Sequence, residues 1–225
     1  MSSFSDPQSV ANYAERPAKQ VPGFHALQRM TALLLAETVP HDGHVLVLGA
    51  GGGLELKVFA EAQPDWNLVG VDPSAEMLKL ASATLGSLAS RIELHEGYID
   101  TAPERAFDGA TCLLTLHFLT AEERLHTLTE LRRRLKPGAP LIVAHHSVPQ
   151  AEEQKMRWLN RYVAFAAASG VPPQDTKNAA AAINDRLPLL SPEQEVALLQ
   201  EAGFGNVELF YAGFTFKGWI AYNPS

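Results

Sequence analysis

Val45-Leu46-Val47-Leu48-Gly49-Ala50-Gly51-Gly52-Gly53-Leu54-Glu55 sets an apolar run against a cluster of glycines, and a helix-like segment reaching Ala62 follows at once. An uninterrupted apolar run is what a strand buried on both faces of a parallel sheet requires. The glycines end it in a sharp turn, where the backbone can take conformations closed to other residues and a ligand can approach the main chain. The stretch therefore reads as strand, turn, helix. About twenty residues further on, at the separation expected of a nucleotide-binding unit, Asn67-Leu68-Val69-Gly70-Val71-Asp72 is a second apolar run that ends in a carboxylate. A glycine turn under the ligand and an acid for the ribose hydroxyls together point to a nucleoside-containing cofactor.

Outward from this unit the chain alternates. The pattern predicts strand 44–49, helix 53–63, strand 67–72, helix 74–88, strands 91–96 and 108–115, helix 121–135 and strand 140–145. Ser74 is the expected N-cap of the helix after Asp72, and Lys136-Pro137-Gly138 stops the helix before the last of these strands. Such alternation argues for a parallel sheet with helices on both faces. Upstream, a helix is expected from Phe24 to about Val39, and residues before Pro22 read as an irregular lid or short helix. Downstream, 149–188 breaks the alternation with two helices, Glu152 to Ser169 and Lys177 to Asp185. Ser191-Pro192-Glu193 opens a final helix. Two closing strands, about 206–211 and 214–221, are joined by Ala212-Gly213, a connection so short that it demands an antiparallel hairpin. The whole reads as one domain over 1–225: an N-terminal lid or helix (1–40), a cofactor-binding core (41–148), a helical insertion (149–188), and the final helix with its hairpin (189–225).

Composition narrows the classes. A net charge of -7 and the absence of a basic stripe argue against a nucleic-acid partner. Arg132-Arg133-Arg134, the one basic run, falls where a helix ends and where cations complement exposed carbonyls. Cys112 is the single cysteine, which excludes an intrachain disulfide and a cysteine metal cluster, and its apolar surroundings make a small buried thiol the expected state. No window approaches the ~18 apolar residues of a membrane span. Met1-Ser2-Ser3-Phe4-Ser5-Asp6 has no basic-then-apolar pattern of a secretory signal, so a cytoplasmic protein without a membrane partner is expected.

The order of parts resembles the class I S-adenosylmethionine-dependent methyltransferases over nearly the whole chain. The resemblance rests on Leu48–Gly53, Gly70-Val71-Asp72-Pro73-Ser74, Glu96-Gly97-Tyr98, Phe107–Phe118, Leu135-Lys136-Pro137-Gly138, and Glu201-Ala202-Gly203-Phe204 before the hairpin. It implies a Rossmann-like, seven-stranded, mostly parallel α/β sheet with an antiparallel C-terminal strand. It also implies S-adenosyl-L-methionine as cofactor, S-adenosyl-L-homocysteine as its product, and a small-molecule acceptor. A nicotinamide dinucleotide fits less well. Its fingerprint places a third small residue where Leu54 stands, and Glu55 would sit poorly beside a pyrophosphate. Within the family, Val21-Pro22-Gly23-Phe24, Leu114–Leu119 and Phe210–Phe216 resemble the carboxy-S-adenosylmethionine synthases. The chain departs from them at Phe24, where those enzymes carry a tyrosine, and at Asn178 to Ile183, where alanines replace the arginine expected to hold the extra carboxylate. A methyltransferase using the ordinary cofactor is therefore the leading expectation. A carboxy-S-adenosylmethionine synthase-like enzyme and a noncatalytic cofactor-binding module are the alternatives.

By the same resemblance Gly49, Ala50 and Gly51 bring main chain to the methionyl and ribose parts, and Asp72 receives the ribose hydroxyls. Pro73 and Met77 flank the adenine, Tyr98 and Ile99 contact it, and Leu114 (or Leu113) offers a carbonyl to the methionyl amine. A core role for Met77 is an equal alternative. Asp100 is either an acceptor for the adenine amino group or a solvated acid. His117 is the candidate general base, set against a pocket-wall imidazole. His145-His146 end strand five with no further ligand set evident, so no metal is expected. Phe24, His25, Trp158, Tyr162, Phe165 and Arg186 are candidates to shape the acceptor pocket, with core packing the commoner role for the insertion's aromatics. The apolar insertion suits a lid or a homodimer interface alike.

Overall fold

The computed structural model describes residues 16–224. In chain order the elements are α1 (Arg16–Gln20), α2 (Phe24–Ala36), β1 (His44–Leu48), α3 (Leu54–Ala62), β2 (Asn67–Asp72), α4 (Ala75–Leu85), β3 (Ile92–Glu96), β4 (Gly109–Leu113) and α5 (Ala121–Arg133). Then follow β5 (Pro140–His146), α6 (Glu152–Ala168), α7 (Pro173–Thr176), α8 (Ala179–Arg186), α9 (Pro192–Glu201), β6 (Gly205–Gly213) and β7 (Phe216–Tyr222). The reading of the extreme N-terminus lies outside the described residues.

The strands form one seven-stranded sheet in the order β3-β2-β1-β4-β5-β7-β6. Neighbours from β3 through β5 pair in parallel, and β7 runs antiparallel to both β5 and β6. Strand β1 shows why the apolar run was needed. Val45 and Val47 pack into one hydrophobic cluster with Leu27, Leu35, Leu56 and Phe59, while Leu46 and Leu48 face the other with Phe107, Leu128 and Leu131. Alternate side chains of a strand point to opposite faces, so helices on both sides leave no polar face.

Local signals stop the elements. Ser74 caps α4 by accepting the Met77 N–H at 3.3 Å. Ser191 caps α9 in a reciprocal box with Gln194, and Thr120 does the same for α5 with Glu123. Helix α4 ends at Leu85, short of the predicted 88, because Gly86 breaks into a 3-10 turn over Gly86–Arg91. Strand β4 stops at Leu113, because Leu114 takes a left-handed conformation with φ 58°. The helix expected over Lys177 to Asp185 is α8, and it begins only at Ala179, after a left-handed Asn178 (φ 64°); the short α7 precedes it where no helix was expected. The hairpin turn also moves. Ala212 and Gly213 stay paired with Lys217 and Phe216, so Phe214 and Thr215 make the connection. The insertion packs its own small cluster, Val148, Leu159, Ala180 and Leu189, beside the main core. No helix among the described residues is long and apolar enough to cross a membrane.

Candidate S-adenosylmethionine site

The switch in strand order lies between β1, which leads toward β2, and β4, which leads toward β5. In open α/β sheets the carboxyl ends of the strands at this point form a crevice. Here the crevice is a cavity of about 910 Å³, within the range of small-molecule sites.

Gly49, Ala50 and Gly51 form its floor between β1 and α3. Gly49 has φ 76°, and a Cβ there would lie 2.1 Å from Thr115 Oγ1, so only glycine lets the ends of β1 and β4 meet. Within the turn the N–H groups are already engaged. Gly49 and Ala50 donate to the Val71 carbonyl at 2.8 and 3.0 Å, and Gly51 donates to Asp72 Oδ2 at 2.9 Å. Those three amides are therefore spent on holding the turn, and what they leave to a ligand is close approach to the main chain. The close packing that the dinucleotide fingerprint assigns to its third small residue is carried out at Gly53, where a Cβ would lie 2.9 Å from Ala81 Cα of α4.

Asp72 ends β2 and also lines the cavity. Its second oxygen accepts the Ser74 N–H at 2.9 Å. Each carboxylate oxygen keeps a further lone pair for a ribose hydroxyl. Burial raises its pKa, and the main-chain donors of Ser74 and Gly51 oppose that rise. Pro73, Met77, Tyr98, Ile99, Asp100 and Leu114 line the same space. Met77 and Ile99 are buried in its wall, whereas Tyr98 stands at the rim, 67% exposed. Asp100 is paired with His126 at 2.7 Å, also on the rim. The residues expected to touch the cofactor, from Gly49 to Leu114, therefore line one cavity, which Leu113 and Thr115 line as well.

His117 does not join them. The cavity is lined by Thr115 and Phe118 on either side of it. Leu116–Phe118 form a 3-10 turn, in which residues three apart share a face, so Thr115 and Phe118 look the same way. The imidazole instead meets His146 of β5 edge to face, their centroids 4.9 Å apart, and its Nδ1 accepts the His146 N–H at 3.5 Å. Burial first, then the neighbouring His146, His145 and Arg124, hold its pKa well below 6.5. His117, expected as a candidate general base, is thus a buried ring that is not among the residues lining the cavity.

The remaining aromatic candidates divide. Phe24 lines the cavity, and its loop is fixed from the far end of the sheet, where Tyr211 donates its hydroxyl to the Pro22 carbonyl. Tyr162 packs at 5.1 Å on His146 and 5.7 Å on Phe216, and Phe165 packs at 5.8 Å on Phe214. Trp158 lies under Arg161 and Lys217. The insertion therefore covers the hairpin, and neither its aromatics nor His25 or Arg186 line the cavity. His146 bonds Thr215 Oγ1 at 2.8 Å and stacks at 3.9 Å on Phe216, while His145 Nε2 lies 3.0 Å from Glu195 Oε2.

Sequence reasoning missed Glu55 as a cavity residue, together with Gln28, Thr115, Phe118, Glu122, Glu123, His126 and Thr127. The one legible signal was Glu55 itself, an acid at a buried helical position. It is 6% exposed, its Oε1 accepts the Thr111 hydroxyl, and burial pushes its pKa up to about 7 against that bond. The lining thus carries Glu55, Asp72, Asp100, Glu122 and Glu123, and among the described residues no lysine or arginine. S-adenosylmethionine brings a sulfonium, an ammonium and one carboxylate, so its charge is net positive and the acidic lining suits it better than it would a carboxylated form.

Residues 45–138 match the family described as methyltransferase domain. The chain is 28% identical to the carboxy-S-adenosyl-L-methionine synthase of Chromohalobacter salexigens, over 98% of this chain and 83% of that one. It is 25% identical to the enzyme of that name from Actinobacillus succinogenes, over 97% and 92%. Among solved structures, human N-acetylserotonin methyltransferase in complex with S-adenosylmethionine superposes with a TM-score of 0.68 at 16% identity, over 99% of this chain and 58% of that one. Haemonchus contortus phosphoethanolamine N-methyltransferase 2 does so with a TM-score of 0.71 at 13% identity, over 100% and 61%. The chain spans about three fifths of those two solved chains. Over residues 45–138 the chain is thus similar to a methyltransferase domain, and along nearly its whole length it is similar to the carboxy-S-adenosyl-L-methionine synthases.

Proposed function

We propose that the protein transfers the methyl group of ordinary S-adenosylmethionine to a small-molecule acceptor. The observation that carries this reading is the single acidic cavity in which the glycine turn, Asp72 and the ends of β3 and β4 meet. When bound, the cofactor supplies a methyl already activated by its sulfonium. Alignment and exclusion of water are then the protein's main tasks. Asp72 orients the ribose, Met77 and Ile99 wall the adenine, and Leu113, Leu114 and Thr115 bound the methionyl side. Phe24, Gln28 and Phe118 border the space left for the acceptor. With His117 outside the cavity lining, this reading takes an acceptor that arrives as a competent nucleophile.

A second reading, synthesis of a carboxylated cofactor, is favoured by the names of the full-length relatives. Against it stands the cavity's charge, because an added carboxylate among Glu55, Asp72 and the rim acids meets no lysine or arginine of the described residues. Mass spectrometry of the ligand that co-purifies with the protein, followed by a screen for methylated products, separates the readings. Ordinary cofactor and a methylated acceptor are expected. A carboxylated cofactor overturns the methyl-transfer reading, and binding without transfer to any acceptor supports a noncatalytic module.

A further inference from the structure

Asp72 and Glu55 are the buried carboxylates of the cavity, the other acids of its lining being exposed. They stand on opposite sides of β1. Asp72 ends β2, whereas Glu55 rises from the first turn of α3 and is held by Thr111, the β4 residue paired with Val47 of β1. Asp72 has both oxygens engaged by main-chain donors. Glu55 has one oxygen on Thr111, and the other has no hydrogen-bond partner among the described residues. A carboxylate this deep without a cation is costly, and the N-terminal turn of α3 offsets only part of that cost. S-adenosylmethionine has a polar group at each end of its thioether. With the ribose on Asp72, its amino-acid end lies toward β4.

We propose that Glu55 receives the ammonium group at the amino-acid end of S-adenosylmethionine, with Thr111 as the positioning residue that holds its other oxygen. The assignment rests on the reading of the cavity as an S-adenosylmethionine site. It completes an ion pair that the protein alone leaves half made, and it explains an acid on a helix face that otherwise packs Leu56, Phe59 and Ala60 into the core. It also couples binding to protons. Glu55, at about 7 in the free protein, must be ionised in the complex. Cys112, its titratable neighbour on β4, stays protonated, held up by burial and then by Glu55. Affinity therefore rises with pH through neutrality.

Calorimetry on the wild-type protein, Glu55→Gln and Thr111→Val tests this with S-adenosylhomocysteine and with methylthioadenosine, which lacks the amino-acid end. Glu55→Gln is expected to weaken S-adenosylhomocysteine at least tenfold and to leave methylthioadenosine within about twofold, with a smaller selective loss in Thr111→Val. Wild-type affinity for S-adenosylhomocysteine should rise about eightfold between pH 6 and 7.5, the fraction of Glu55 ionised setting the factor, while Glu55→Gln stays flat. Should the variants not fold, a deamino analogue of S-adenosylhomocysteine on the wild-type protein replaces them, and loss of the pH dependence is expected. Equal weakening of both ligands, an unchanged affinity for S-adenosylhomocysteine, or a pH dependence that survives deamination overturns the assignment alone. A wild-type protein that binds neither adenosyl ligand overturns the underlying reading as well.

Discussion

Asp72 joins two tasks in one side chain: it ties Gly51 and Ser74 together and leaves acceptor capacity facing the cavity. Asp72→Asn would set an amide N–H against one of those main-chain donors. Stability to urea is expected to fall by about 1–2 kcal/mol, and the Kd for S-adenosylhomocysteine to rise by roughly tenfold or more. An unchanged Kd in a folded variant would remove Asp72 from the ligand. His146 acts on stability through its buried ring, whose pKa burial first, then His145 and Lys217, lower to about 3. A depressed histidine contributes stability above its unfolded value near 6.5, and that contribution is lost as pH falls toward 3. His146→Leu should therefore show a shallower acid limb than wild type, by on the order of 1.4 kcal/mol per pH unit below 6.5, in denaturation followed across pH. Asp72 was legible because an acid ending the strand after a glycine turn is a local pattern. Glu55 was legible only as an acid at a buried helical position; its place in the cavity depends on Thr111, distant in sequence, and that of His117 on which way a 3-10 turn rolls.

At the scale of elements, the decisive contact is α3 on α4. Gly53, at φ 79°, lets the start of α3 lie against the backbone of Ala81. Gly53→Ala places a Cβ 2.9 Å from Ala81 Cα in a conformation alanine resists, so the helices must separate. A loss of about 2–4 kcal/mol in denaturant unfolding is expected. A loss under about 1 kcal/mol would mean that the pair accommodates a methyl and that the glycine serves only the turn. The element boundaries read from caps held well at Ser74 and Ser191, because capping is local. The hairpin turn slid to Phe214-Thr215 because strand pairing, not the small residues Ala212 and Gly213, set its end.

Across the whole molecule, one buried polar knot joins the final helix to the sheet. Arg124 of α5 is fully buried, pairs with Glu195 of α9, and donates to the Leu119 and Pro188 carbonyls at 3.0 and 2.6 Å. Burial works to raise the pKa of Glu195, but His145 and Arg124 outweigh it and hold the carboxylate below its usual value. Glu195→Ala strands the guanidinium, and a loss of about 3–5 kcal/mol in equilibrium unfolding is expected. Combining Arg124→Met with Glu195→Leu should recover most of it, and equal damage from single and double variants would show that the pair's charge is not the cause. Two arginines of the run expected at a helix end lie there and are likewise engaged, Arg133 with Glu104 and Glu130 and Arg134 with Glu130. The sequence by itself determined the alternation of elements, the glycine turn, the acid at the end of β2 and the antiparallel closing hairpin, because periodicity, capping and turn chemistry act between near neighbours. Only the tertiary structure decided that His117 faces away from the cavity, that the insertion covers the hairpin, and that Glu55 stands inside beside Thr111. Those outcomes depend on which side chains meet across strands, and no local pattern encodes that.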